Sequence, residues 1–191
     1  MKKKYPTDIM DFMMNYLHKY FFPPRNKKIE DSDDLSLVLR AHLLAELLMD
    51  MILKRNVKSQ RRITRQNLTF NVKLTIIDSF RLIPEKLISV LEALNSVRNQ
   101  FAHDLRTSLE NIDFDIIVKK CGGSPVPKKV LWSVRRRYKS KHDWKRFLFT
   151  NAMGGCLTDL VHRAFGWKKE GEIDIPGDDW RVMSKIRQFQ K

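Results

Sequence analysis

The chain has 191 residues, 42% of them hydrophobic, and a formal net charge of +15. That length bounds it to one domain with a real core, and the ordinary hydrophobic fraction argues against an unfolded polymer. The most apolar run, Leu43–Leu53, carries Glu46 and Asp50 and is too short to span a bilayer, so no membrane association is expected.

Gly and Pro are scarce, at seven each, and β-branched alternation is rare. Leu, Met, Lys and Arg dominate, which predicts an all-α class. The excess positive charge predicts a polyanionic partner, nucleic acid ahead of an anionic membrane; a solvated basic surface is the plainer reading. Cys121 and Cys156 form no Cys-x-x-Cys pair, and no zinc spacing is present. Met-Lys-Lys-Lys at the start is followed by no signal-peptide apolar core, since Asp8, Asp11, Asn15, His18 and Lys19 interrupt it. The expected compartment is the cytoplasm, and neither metal nor cofactor is expected.

Taken in order, Asp8–Phe22 reads as a first helix with Ile9, Phe12, Met13, Tyr16 and Tyr20 on one face, stopped by Pro23-Pro24. A second helix, about Leu35–Arg55, follows the acidic Asp31-Ser32-Asp33-Asp34 and is apolar nearly all round, which predicts a central position. Its exception is a stripe of His42, Glu46, Asp50 and Lys54 at four-residue spacing. The stripe is either a narrow solvent edge of helix-supporting ion pairs or a polar wall for a site. Lys54–Arg65 holds six basic residues and no acidic one, a candidate phosphate-contacting loop through Lys58, Arg61, Arg62 and Arg65.

A third helix is predicted at about Thr69–Leu82, and Pro84 opens a fourth that runs to Leu105. Phe114–Cys121 reads as a short helix capped by Gly122-Gly123. Lys128–Arg146 carries nine basic residues against one acidic, interleaved with Trp132, Tyr138 and Trp144. That mixture suits an RNA surface on which rings stack and Arg135, Arg136, Arg137, Lys139 and Lys141 meet phosphate. Trp144 is instead assigned to the core, because it opens the periodic set Phe147, Leu148, Ala152, Leu157, Leu160 and Val161 of a last long helix. A further helix near Trp180–Phe189 falls in the tail, 166–191.

The fourth helix carries the chemistry. Leu87, Ile88, Leu91, Leu94, Phe101, Ala102 and Leu105 recur at helical spacing, and Arg98 falls near the middle of that stripe. A guanidinium there is costly unless paired or holding an anion. Asn99 follows it and His103 comes five residues on. Arg could neutralise a phosphorane, the imidazole could move a proton, and Asn99 could hold an oxygen. The plainer reading makes His103 a satisfied core histidine and Arg98 an interface ion. Five helical residues turn roughly 140°, so Arg98 and His103 face each other only if the helix bends near Phe101 or two copies meet. A second Arg-to-His spacing, Arg135–Arg137 to His142, lies in a charged stretch with little apolar periodicity and reads as a decoy.

Arg98-Asn99-x-x-x-His103, late in a helical bundle, resembles the HEPN superfamily, and most nearly its mannitol operon repressor-like branch. The resemblance rests on Arg40–Leu48, Leu94–His103, the short helix ending at Cys121 and Arg146–Phe149, and covers about 35–165. It implies a bundle of about five to seven helices, a homodimer with a composite site, and metal-independent RNA cleavage leaving a cyclic phosphate. By carry-over Arg98 and His103 are the catalytic pair and Asn99 their polar companion, with His42 and Glu46 as candidates for support from an earlier helix. The position two after the histidine is Leu105, where many toxin-type members have Tyr. Two functions follow from the resemblance: an endoribonuclease of the toxin or phage-defence kind, with a regulatory or antitoxin protein partner, and a non-enzymatic transcriptional regulator. A helical scaffold without catalysis is the third.

Overall fold

The computed structural model describes residues 11, 15–17, 33–56, 68–104, 106–113, 135–136 and 138–165. Among them every regular element is helical and no strand occurs, as an all-α chain requires. The expected helices at Phe114–Cys121 and Trp180–Phe189 lie outside the described residues, as does most of Asp8–Phe22. Residues 15–17 of that last stretch are helical, and Tyr16 and Leu17 are buried in the common core.

Helix α1 is Asp34–Asn56. Asp33 caps it: Oδ1 accepts from Ser36 N–H at 2.6 Å, and Oδ2 from the Ser36 hydroxyl at 3.3 Å. The Ser36 backbone bond holds the Asp33 carboxyl below the usual range. Lys54 and Arg55 close the helix, where cations suit the dipole. Thirteen α1 residues are buried, around most of its circumference. Such a helix is stable only when neighbours cover it on several sides, and α2, α3 and α4 do so.

Helix α2, Phe70–Ser79, is capped by Thr69, whose hydroxyl accepts from Val72 N–H at 3.4 Å. It stops at Phe80-Arg81, short of the Leu82 that periodicity predicts. Leu82 N–H reaches back to Ile77 O and Arg81 N–H to Asp78 O, with Arg81 at φ 50. This is the left-handed stop usually given to glycine, and a side chain there costs about 1 kcal/mol.

Helix α3, Glu85–His103, begins after Pro84, whose carbonyl accepts from Leu87 and Ile88. A 3-10 turn spans Leu109–Asn111, and α4 is Lys141–Phe165. α4 starts one turn before Trp144 because Ser140 caps it, taking Asp143 N–H on its hydroxyl at 2.9 Å. α1 is the hub of the bundle: its most extensive contact is with α4, and α2 and α3 also pack on each other. The long helices α1 and α3 are neighbours, as their matched apolar faces predict.

Candidate functional site

The buried face of α3 is made by Leu87, Ile88, Val90, Leu91, Ala93, Leu94, Val97 and Phe101. Val90, Ala93 and Val97 move the centre of that face away from Arg98. Arg98 is therefore half-buried at its edge rather than in its middle, and Ala102 is exposed. The Arg98 guanidinium donates from Nη1 to Asn99 Oδ1 at 3.1 Å. No carboxylate pairs with it among the described residues.

His103 is the last residue of α3 and is exposed. The helix stays regular up to it, since Asp104 N–H still closes on Gln100 O at 3.0 Å. α3 thus does not bend near Phe101. With roughly 140° between them, Arg98 and His103 point to different sides of one helix.

The imidazole on the Arg98 side comes from α1. His42 is 7% exposed and stacks on Phe70 of α2, centroids 4.3 Å apart and planes 25° apart. Its Nε2 lies 3.1 Å from Asn95 Oδ1, and Asn95 Nδ2 donates to Asn71 Oδ1 at 2.8 Å. Burial lowers the His42 pKa; the Asn95 bond and Glu46 oppose this, while the charges of Arg98 and Lys73 add to it. Three helices therefore converge on one imidazole, close enough to Arg98 to feel its charge.

The rest of the α1 stripe resolves into an ion cluster. Lys73 of α2 is buried at a core position of the set Phe70, Lys73, Leu74 and Ile77. Its Nζ lies 2.8 Å from Glu46 Oε1 and 2.9 Å from Asp50 Oδ1. Burial disfavours the Lys73 charge, but the two carboxylates outweigh it and raise the pKa above the usual value. Glu46 is thus tied to Lys73, with its side chain partly exposed. A lysine spaced as a core residue, opposite Glu and Asp four apart, was the sequence signal for this cluster.

A second polar centre joins α1, the 3-10 turn and α4. Asp34 Oδ2 accepts from Leu109 N–H at 2.9 Å and lies 2.9 Å from His142 Nε2. Arg146, one turn beyond His142, brings Nε to 3.7 Å from Asp34 Oδ1. His142, read from sequence as part of a decoy motif in a charged stretch, is a partner of a buried carboxylate. The three residues, with Asp33, Leu35, Phe101 and Thr107, line an open pocket of about 430 Å³.

Of the expected nucleic-acid residues, Arg136, Lys139 and Lys141 are exposed and Arg135 is half-buried. Arg135 donates to Tyr138 O at 2.9 Å and lies 5.7 Å over the Trp144 ring. Tyr138, Trp144 and Phe147 pack ring against ring and stay half-exposed, so Trp144 belongs to a surface cluster rather than the deep core. Lys58, Arg61, Arg62, Arg65 and Arg137 lie outside the described residues. Among the described residues no group of three or more His, Cys, Asp or Glu is placed to hold a metal ion, and no helix is long and apolar enough to cross a membrane.

Compared with known proteins, the chain matches no family model, no curated protein and no solved structure.

Proposed function

We infer that this is a HEPN-type RNA-binding protein and a metal-independent endoribonuclease of the cytoplasm. The observation that carries the reading is Arg98: a half-buried guanidinium without a carboxylate partner among the described residues, bonded to Asn99 and close enough to the buried His42 for its charge to act there. A guanidinium so placed suits a phosphate, which it meets through two parallel hydrogen bonds. The net charge of +15 would draw RNA to it.

In this reading Arg98 stabilises the charge that grows on phosphorus, Asn99 holds the guanidinium in place, and His103 handles a proton. Because Arg98 and His103 diverge on a straight helix, the set closes in a two-fold dimer, where one copy's Arg98 meets the other's His103. A toxin or defence role, with a protein that restrains the activity, fits such a nuclease.

The deciding experiment is cleavage of total RNA by pure protein, with and without EDTA. Wild-type protein should cut in EDTA and leave cyclic phosphate ends. Arg98→Ala and His103→Ala should abolish cutting and keep most RNA binding; Arg98→Lys should rescue only in part, because a point charge does not replace a planar fork. Absence of cleavage, or its loss in EDTA, overturns the nuclease reading.

One observation favours the regulator instead. Val72 on α2 and Phe80 just past its end are apolar side chains left 43% and 63% exposed. Exposed apolar side chains suit contact with another protein. An inactive protein that binds a protein partner through Val72 and Phe80 would establish that reading.

A further inference from the structure

We propose that the chain Asn71–Asn95–His42 is a positioning relay that fixes His42 in its Nε2–H tautomer, so that Nδ1 takes the proton from the ribose 2′-hydroxyl beside Arg98. The proposal rests on the nuclease reading above and adds to it a second imidazole and two positioning residues.

The tautomer follows from the direction of the hydrogen bonds. Asn95 gives its amide Nδ2 to Asn71 Oδ1, so the atom it turns to His42 is the carbonyl Oδ1. A carbonyl oxygen only accepts, and the Nε2 facing it must carry the hydrogen. In a neutral imidazole the lone pair then sits on Nδ1. That atom has no hydrogen-bond partner among the described residues. Stacking on Phe70 fixes the ring plane.

The hydrogen-bonded chain crosses from α2 through α3 to α1 and satisfies the buried Nε2–H of His42. Asn71 and Asn95 are bonded in series to one ring nitrogen, and Asn95 lies one turn before Arg98 on α3. The charges bearing on the ring are Glu46 on α1, Lys73 on α2 and Arg98 on α3. Lys73 is held by Glu46 and Asp50, so Arg98 is the cation of the three free of a carboxylate among the described residues. Burial keeps the ring in its proton-accepting form near neutral pH.

The step balances without a co-reactant. His42 Nδ1 takes the 2′-hydroxyl proton, and the 2′-oxygen bonds to phosphorus, giving a 2′,3′-cyclic phosphodiester. The bond from phosphorus to the 5′-oxygen breaks, and that oxygen takes a proton from a protonated His103 of a second copy. Water returns both imidazoles to their starting states. The two histidines thus divide base and acid between them, which removes the need for one exposed imidazole to do both.

The test joins spectroscopy to kinetics on the full chain. Long-range proton–nitrogen correlation spectra of histidine-labelled protein should show His42 as the Nε2–H tautomer, assigned by loss of its signals in His42→Gln. Asn95→Leu should leave a tautomer mixture. In single-turnover cleavage of an RNA oligonucleotide, His42→Gln should slow the reaction about 10²- to 10⁴-fold, with RNA affinity within about two-fold of wild type. Asn95→Asp, which keeps an acceptor at Nε2 and adds a negative charge, should fold as wild type and move the acidic limb of the pH–rate profile to higher pH. An Nδ1–H tautomer, an unmoved acidic limb in Asn95→Asp, or a His42→Gln protein that cleaves at the wild-type rate overturns the relay while leaving the nuclease reading standing. A wild-type protein that does not cleave overturns both.

Discussion

His142 Nε2 and Asp34 Oδ2 meet at 2.9 Å although 108 residues separate them in the chain. The same carboxylate takes Leu109 N–H and lies beside the Arg146 guanidinium. One side chain at the start of α1 therefore ties down the 3-10 turn and the start of α4. Asp34→Ala should lower stability by about 2 kcal/mol, since the buried Leu109 N–H loses its acceptor and the Arg146 guanidinium its counter-charge. His142→Ala should cost less, because His142 is 36% exposed, and should leave RNA cleavage unchanged. Thermal melts compare the two, and an Asp34→Ala protein melting with wild type would refute the tie.

Lys73 has two carboxylate partners and little contact with water. Lys73→Met removes the cation and leaves Glu46 and Asp50 one helical turn apart with like charge. About 1–3 kcal/mol of stability should be lost, less than for a fully buried pair because the carboxylates are 30% and 25% exposed. Adding Glu46→Gln to Lys73→Met should return part of the loss. Denaturant titration reads both, and a double variant no better than the single would contradict the account.

The pH dependence of stability should carry a mark of His42. Its folded pKa is lowered, chiefly by burial, from the usual 6.5. Between the two values the unfolded chain binds the proton and the folded one resists it. The contribution is therefore full above about pH 6.5, is lost as pH falls below it, and levels off once the folded ring is protonated too. Replacing His42 by Gln, which cannot titrate, should flatten the melting-temperature profile across that window. An equally steep profile in His42→Gln would place the effect elsewhere.

RNA affinity should fall steeply with added salt, as lysines and arginines that meet phosphate release counterions. Arg136 and Lys139 are the better probes of this surface, being exposed. Arg135 is committed to Tyr138 and Trp144, so its reversal would disturb the aromatic cluster as well. Arg136→Glu with Lys139→Glu should reduce both the affinity and the salt slope, with melting temperature nearly unchanged. An unaltered slope in binding titrations would remove this surface from the RNA interface.

Apolar periodicity located α1 and α3 to within two residues at each described end, because both helices are long and bury wide faces. It overran α2, whose end is set by the backbone turn at Phe80-Arg81 rather than by a change in hydrophobicity. It missed the first turn of α4, which is polar and held by Ser140. Arg98 and Asn99 stood out by position, yet the partners that organise the site did not. Asn71, Lys73 and Asn95 become neighbours of His42 and Glu46 only once three helices pack. His142 looked like one charge among many because its partner, Asp34, lies at the far end of the core sequence. Short-range patterns mark helices; polar contacts between helices depend on their rotation and depth, which those patterns leave open.

The hub position of α1 bears on how the chain is made. Asn56 leaves the ribosome roughly a hundred residues ahead of Phe165, several seconds earlier at ordinary synthesis rates. During that interval α2 and α3 emerge and can pack on α1, while the flank destined for α4 stays uncovered. Leu157, Leu160 and Val161, none of them solvent-accessible in the finished fold, arrive among the last of the core side chains. A nascent chain stalled before α4 would thus display a long greasy groove, a natural target for chaperones or for a second unfinished copy.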